Sequence, residues 1–276
     1  MNPDLVYVCR NGENEELRYS LRSVARNLPH GRVWIFGGWP AWIEGVKTIT
    51  TEQAGVRFAN TTNAVRLACE HSAVSDPFVL MNDDFFVMQP LDSVPVLNRG
   101  PISKVISDYE RRHMGGSAYA MGMRHTCDLL VSLGFENPVS YELHVPLLVH
   151  KAAMLEALSM GQGVKVLHKR SMYGNLARLS GATVPDVKVY RTGADVPQGP
   201  FASCQDNTLP TVLPVLRYLF PLPCAYERPE PAPRRVIRFA PCQTQAELKE
   251  FPMYKPRPAY SETRTRPGRA VHEHEA

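Results

Sequence analysis

The sequence of 276 residues has no pair of closely spaced cysteines; its six (Cys9, Cys69, Cys127, Cys204, Cys224 and Cys242) are scattered, with no CxxC. That spacing argues against a structural zinc site and a disulfide framework, and fits a reducing compartment. No stretch approaches the roughly 18 apolar residues that a membrane-spanning helix needs. The most apolar segment, Thr211 to Tyr226, is interrupted by Arg217 and by prolines and reads as a buried helix. GxxxxGK[ST], GxGxxG and GxSxG are all missing, which removes the grounds for an NTPase, a dinucleotide enzyme or a nucleophile-elbow hydrolase. The opening MNPDLVYVCRNGENEE has no basic stretch and only a short apolar run, so no signal peptide is expected and a cytoplasmic location is. Strong charge is lacking too. The net charge is +4, and residues 226–276 hold ten basic against seven acidic side chains, which leaves +1 for residues 1–225. A nearly neutral body is no DNA-binding surface, so nucleic acid stays in consideration only as an acceptor substrate.

What is present is an alternation of short apolar runs with helical patterns, the mark of an α/β fold with a sheet flanked by helices. Leu5–Cys9 reads as a buried strand, followed by a polar turn at Arg10–Asn14. The next helix has Leu17, Leu21, Val24 and Leu28 on one face and stops at Pro29 and Gly31. Strands follow at Arg32–Phe36 and Val46–Ile49, and Thr61 or Thr62 is placed to cap a helix running to Ser72. Phe78–Met81 is a fourth strand, with Asn82-Asp83-Asp84 at its carboxyl end. The pattern then predicts helices over Ser117–Leu133 (stopped by Gly134), Pro146–Met160 and Ser171–Ser180. Strands are predicted at Val164–Leu167, Val187–Tyr190 and Phe201–Gln205, and a last helix from Thr208 to Phe220. Residues 1–226 form one catalytic-size domain. Residues 227–276, with eight prolines in the 51 residues from 226 onward and mixed charge, read as a largely disordered tail.

In open α/β sheets ligands bind beyond the carboxyl ends of the strands, where the turn after strand one (Asn11, Gly12) meets the turn after strand four (Asp83, Asp84). Adjacent carboxylates raise each other's pKa. A divalent cation removes that conflict, and Mg²⁺ takes one or two carboxylates plus substrate phosphates. A solvated turn is the bland alternative for an isolated Asn-Asp-Asp. The apolar runs FVLM and FFVM on either side favour a core-lined cleft and a metal. His144, before a predicted helix, is a candidate general base, although a lone histidine is more often structural. Arg170, in a basic cluster at a predicted strand-to-helix turn, is equally a phosphate ligand or a solvated turn.

In their order these motifs resemble the Stealth family, whose members transfer a sugar-1-phosphate from a nucleotide-diphosphate sugar on a fold similar to that of GT-A glycosyltransferases. Asp4–Gly12 is similar to the first family block, and Glu15–Ser23 with Val33–Phe36 and Pro40–Ile43 to the opening of the second. Phe78–Phe86 resembles its end, Glu142–Pro146 the third, and Phe201–Asn207 with Leu219–Pro221 and Tyr226-Glu227 the fourth. The first block departs from the family pattern, with Cys9, Arg10 and Asn11 before Gly12 where a carboxylate is usual. The resemblance implies a GT-A-like (Rossmann-like) mixed sheet and Mg²⁺ or Mn²⁺ held by Asp83, Asp84 and Asp206. It implies a catalytic site of His144, Asp84 and Arg170, with Asn11, Gly12, Arg18 and Asn82 on the nucleotide or its phosphates. The implied partners are a nucleotide-diphosphate sugar, a UDP-sugar first, and a hydroxyl-bearing acceptor. Two alternatives stand beside it. One is a glycosyltransferase that releases UDP and transfers the sugar to a polysaccharide, protein or modified DNA base; the other is a non-catalytic sugar-nucleotide-binding protein.

Overall fold

A computed structural model describes residues 2–53, 55–112 and 114–229. In chain order the elements are β1 (Asp4–Cys9), α1 (Glu15–Asn27), β2 (Val33–Gly37), β3 (Lys47–Thr50), α2 (Arg57–Glu70), β4 (Phe78–Asn82), β5 (Phe85–Val87) and β6 (Leu97–Asn98). Then come α3 (Ile102–Arg111), α4 (Ala118–Ser132), β7 (Leu147–Val149), α5 (Lys151–Met160), α6 (Lys169–Leu176), β8 (Ala182–Thr183), β9 (Phe201–Ser203) and α7 (Leu209–Leu219). The result is the expected mixed α/β architecture.

The central sheet runs β3-β2-β1-β4-β7. β1 pairs in parallel with both β2 and β4, β2 with β3, and β7 closes the edge antiparallel to β4. Because β1 connects outward to β2 while β4 returns to its other side, the strand order reverses between β1 and β4. That is where such a sheet opens a crevice at its carboxyl ends.

Residues of both faces of β1 and β4 are buried, so these strands read as continuous apolar runs rather than alternating ones. Val6, Phe36, Phe78 and Leu80 face a core shared with α2, α4, α5 and α6. Leu5, Tyr7, Ile35, Val79 and Met81 face the other, where Leu17, Leu21 and Val24 of α1 pack. Each such fully buried side chain contributes about 1.5–3 kcal/mol of apolar burial. α1 begins where the side chain of Asn14 accepts the Leu17 amide at 2.9 Å, with Glu15 and Glu16 favourably placed in the first turn. Two smaller sheets complete the frame, β5 antiparallel to β9 and β6 parallel to β8.

Several boundaries differ from the sequence-based expectation. The helix expected from Pro146 begins only at Lys151, because Leu147–Val149 is apolar on both faces and adds to β4 as β7. Val164–Leu167 forms turns rather than a strand, and Val187–Tyr190 contributes a single bridge, Lys188 to Ser203. α2 starts at Arg57, so Thr61 lies inside the helix and caps nothing. The expected boundary at Tyr226 falls within the packed body. Ile43 bridges Glu227, the Arg228 amide donates to the Trp42 carbonyl, and Glu227 is buried. The tail predicted beyond it lies, from residue 230 onward, outside the described residues. No helix among the described residues is long and apolar enough to cross a membrane.

Candidate functional site

A cleft of about 590 Å³ opens at the carboxyl ends of β1 and β4. In the parallel register Val8 lies beside Asn82, so the chain leaves β1 at Cys9-Arg10 next to the point where β4 delivers Asn82, Asp83 and Asp84. All of these residues line the cleft. β5 continues directly from Asp84 and pairs Phe85 with Ser203 of β9, and the Lys188 bridge sits on that same Ser203. The consequence is a dense set of contacts. Asp84 Oδ2 accepts from Lys188 Nζ at 2.8 Å and from Ser203 Oγ at 3.2 Å. Its Oδ1 is buried with no partner. Asp83 Oδ2 accepts from Asn14 Nδ2 at 2.5 Å, which ties it to the start of α1. Burial, and then the charge of Asp84, push the Asp83 carboxyl up to about 6.

His144 lines the same cleft from the loop before β7. Its Nδ1 lies 2.9–3.0 Å from both oxygens of Asp186, and its backbone amide donates to Asp186 Oδ1 at 3.3 Å. Tyr190 donates its hydroxyl to Asp186 Oδ2 at 2.7 Å, and Arg99 stands 4.0 Å away. Burial alone would raise the Asp186 carboxyl. The hydrogen bonds from His144 and Tyr190, and the charge of Arg99, outweigh it and hold the group well below the usual carboxylate range. An anionic Asp186 fixes the proton of His144 on Nδ1 and leaves Nε2 as acceptor, the orienting role a carboxylate plays toward a general base. Phe85 and Tyr190 meet the imidazole in edge-on contacts at 6.1 and 6.2 Å. Asp186 was not foreseen. It lies 42 residues from His144 in an irregular segment, and no local pattern marks it.

The expected phosphate ligand Arg170 is placed otherwise. Its guanidinium donates to the carbonyls of Leu143 and Val145, on either side of His144, and stacks over Phe85 at 5.5 Å. The N-terminus of α6 is also taken, since Glu142 Oε1 accepts from the Ser171 amide at 3.1 Å. Arg170 therefore braces the His144 loop. Arg18 is also diverted: it pairs with Glu227 at 2.8 Å and Glu15 at 2.9 Å, lies over Trp42 at 4.3 Å, and does not line the cleft. Asn11 and Gly12 occupy the expected turn, with the Asn11 amide bonded to Gln53 Oε1 at 3.1 Å. Gln53 and Arg10 reach the cleft wall where these two do not.

Asp206 lines the cleft but is 71% exposed and paired to Arg10 at 2.6 Å. Among the described residues no three His, Cys, Asp or Glu side chains come together as a metal-holding group. The expected Asp83, Asp84 and Asp206 set is thus not assembled, because Arg10 draws off Asp206 while Lys188 holds one oxygen of Asp84. The adjacent pair alone does fit a hard divalent cation. Asp84 offers a buried, unpartnered oxygen, and Asp83 bears a carboxylate whose charge is disfavoured by burial and by its neighbour, a conflict that a cation relieves.

No family model matches the chain, and no curated protein matches it. Among solved structures, the apo form of the glycosyltransferase GlyE from Streptococcus pneumoniae TIGR4 is similar at 10% identity with a TM-score of 0.36. The match covers 66% of this chain and 45% of that one, so the chain spans less than half the length of GlyE.

Proposed function

We propose that the protein is a metal-dependent transferase with a GT-A-like fold that moves a sugar-1-phosphate from a nucleotide-diphosphate sugar, a UDP-sugar first, to an acceptor hydroxyl. The observation that carries this reading is the meeting of two devices on one cleft. They are the His144–Asp186 pair, built to take a proton, and the Asp83–Asp84 pair, built to hold positive charge. The Stealth resemblance supplies the donor class. His144 Nε2 takes the proton of the acceptor hydroxyl, and the acceptor oxygen attacks the β-phosphorus. The new O–P bond forms as the bond from the β-phosphorus to the bridging oxygen breaks, and UMP leaves with the electron pair. Mg²⁺ or Mn²⁺, held by Asp83 and the free oxygen of Asp84, would supply neutralisation of the diphosphate charge. Arg170 keeps the His144 loop in place through its two carbonyl bonds.

The test is chromatography of the nucleotide released from a panel of UDP- and GDP-sugars with Mn²⁺. UMP is expected. Release of UDP would move the broken bond to the anomeric carbon and make the protein a glycosyltransferase. Donor binding with no release under any acceptor would make it a sugar-nucleotide-binding protein. Asp84→Ala is expected to abolish metal-dependent donor binding and, by leaving Lys188 unpaired, to lower Tm without preventing folding; donor binding that survives it removes the metal assignment.

A further inference from the structure

The cations of the cleft are not equally provided for. Lys188 is paired with Asp84, Arg10 with Asp206, and Arg170 with two carbonyls. Lys169 is different. It lines the cleft from the first turn of α6, and its ammonium has a single neutral partner, the Thr61 hydroxyl at 3.2 Å. Among the described residues no carboxylate lies within ion-pair distance of it; Glu142 spends Oε1 on the Ser171 amide and hydroxyl. Arg57 lines the same wall from the first position of α2, also without an ion pair among the described residues, resting over Phe58 at 5.7 Å.

Lys169 sits where a cation is unwelcome, and the exposed Arg57 stands on the same wall. Each opens a helix whose first turn has no acidic residue and whose N-cap side chain makes no bond. Among the described residues only the α2 end is also free of a carboxylate from elsewhere, since Glu142 meets the first turn of α6. The positive end of a helix dipole disfavours a cation and favours an anion. Burial pushes the Lys169 ammonium below its usual range; Glu142 opposes that, and Arg170 and Arg57 add to it. An ammonium with three donors and one hydroxyl partner, near Glu142 but outside ion-pair distance of it, has donors left for an anion in the cleft.

We infer that Lys169 and Arg57 form a phosphate-binding subsite in the α2–α6 wall of the cleft, separate from the Asp83–Asp84 pair, with the Thr61 hydroxyl, whose proton goes to the Phe58 carbonyl, steadying the Lys169 ammonium. The subsite rests on the proposed function only for the source of the phosphate, which is either the donor nucleotide or the acceptor.

Calorimetric titration of the full chain with inorganic phosphate, UMP and UDP, each in EDTA, tests it. The proteins are wild type, Lys169→Met, Arg57→Gln and, as the charge-retaining control, Lys169→Arg. Wild type and Lys169→Arg are expected to bind. Lys169→Met should bind at least tenfold more weakly and Arg57→Gln several-fold more weakly, with Tm not lowered in Lys169→Met. Arg57 is exposed, so its variant keeps the test informative even if Lys169→Met does not fold. Weakened UMP and UDP binding assigns the phosphate to the donor. Weakened inorganic phosphate binding with unchanged nucleotide affinity assigns it to the acceptor. Unchanged binding of all three ligands in Lys169→Met and Arg57→Gln overturns the subsite, and so does a wild type that binds none of them. Phosphate binding that depends on Lys169, in a protein that turns over no sugar nucleotide, keeps the subsite while the proposed function fails.

Discussion

At the scale of single residues, the His144–Asp186 pair makes the sharpest demand. Asp186→Asn retains size and shape but no longer fixes the imidazole tautomer. A loss in kcat of about 100- to 10,000-fold is expected with donor affinity unchanged, measured by steady-state kinetics and titration. The same variant has a stability signature. A carboxyl held below its usual value stabilises the fold at every pH above its unfolded pKa, and that contribution disappears as pH falls through the folded value. Asp186→Asn should therefore melt below wild type at pH 7, and the gap should narrow only in acid, below about pH 4. A gap constant across pH would show that Asp186 does not stabilise through its charge. His144 and the Asp83–Asp84 pair were legible in the sequence because each sits in a recognisable local string. Asp186 and Lys188 were not, since their meaning comes from partners 42 and 104 residues away.

Among elements, the packing of α6 governs the His144 loop. A Cβ on Gly174 would stand 2.3 Å from the Tyr141 ring, and Tyr141 precedes Glu142 in the strap that carries His144. Gly174→Ala gains helix propensity yet forces the ring to move, and overpacking of that kind costs about 1–3 kcal/mol. A lower Tm together with a reduced kcat is expected. A variant as stable and active as wild type would show that the strap tolerates displacement. The long periodic elements, α1 and α4, were readable from spacing and caps, as were the buried runs of β1 and β4. The misreadings cluster where periodicity is silent. Leu147–Val149 is too short for its apolar run to distinguish a strand from a helix start, and only the free edge of β4 decides. β9 was readable as a strand, whereas β5 was not, since its pairing depends on a partner more than a hundred residues distant.

For the molecule as a whole, the last described residues are held by a charge cluster rather than by a strand. Glu227, its side chain 1% exposed, accepts from Arg22 at 2.6 and 2.7 Å and from Arg18 at 2.8 Å, with its backbone bridged to Ile43. Removing one partner from a buried ion cluster leaves the others uncompensated, which typically costs about 3–5 kcal/mol. Because the arginines are partly exposed, Glu227→Ala is expected to lose about 2–3 kcal/mol in denaturant titration. A loss below about 1 kcal/mol would mean that the cluster is ornamental. Arg18, expected on the nucleotide, belongs to this closure, a role no local motif distinguishes from phosphate binding.

Asp186 and Lys188 stand two residues apart on a single irregular segment, one holding the imidazole and the other the carboxylate of Asp84. The His144 side and the Asp84 side of the cleft thus share one carrier. Their spacing is set by a dipeptide step instead of by the relative placement of two domains. A displacement of that segment would disturb both sides together, so neither can be retuned by moving its support alone.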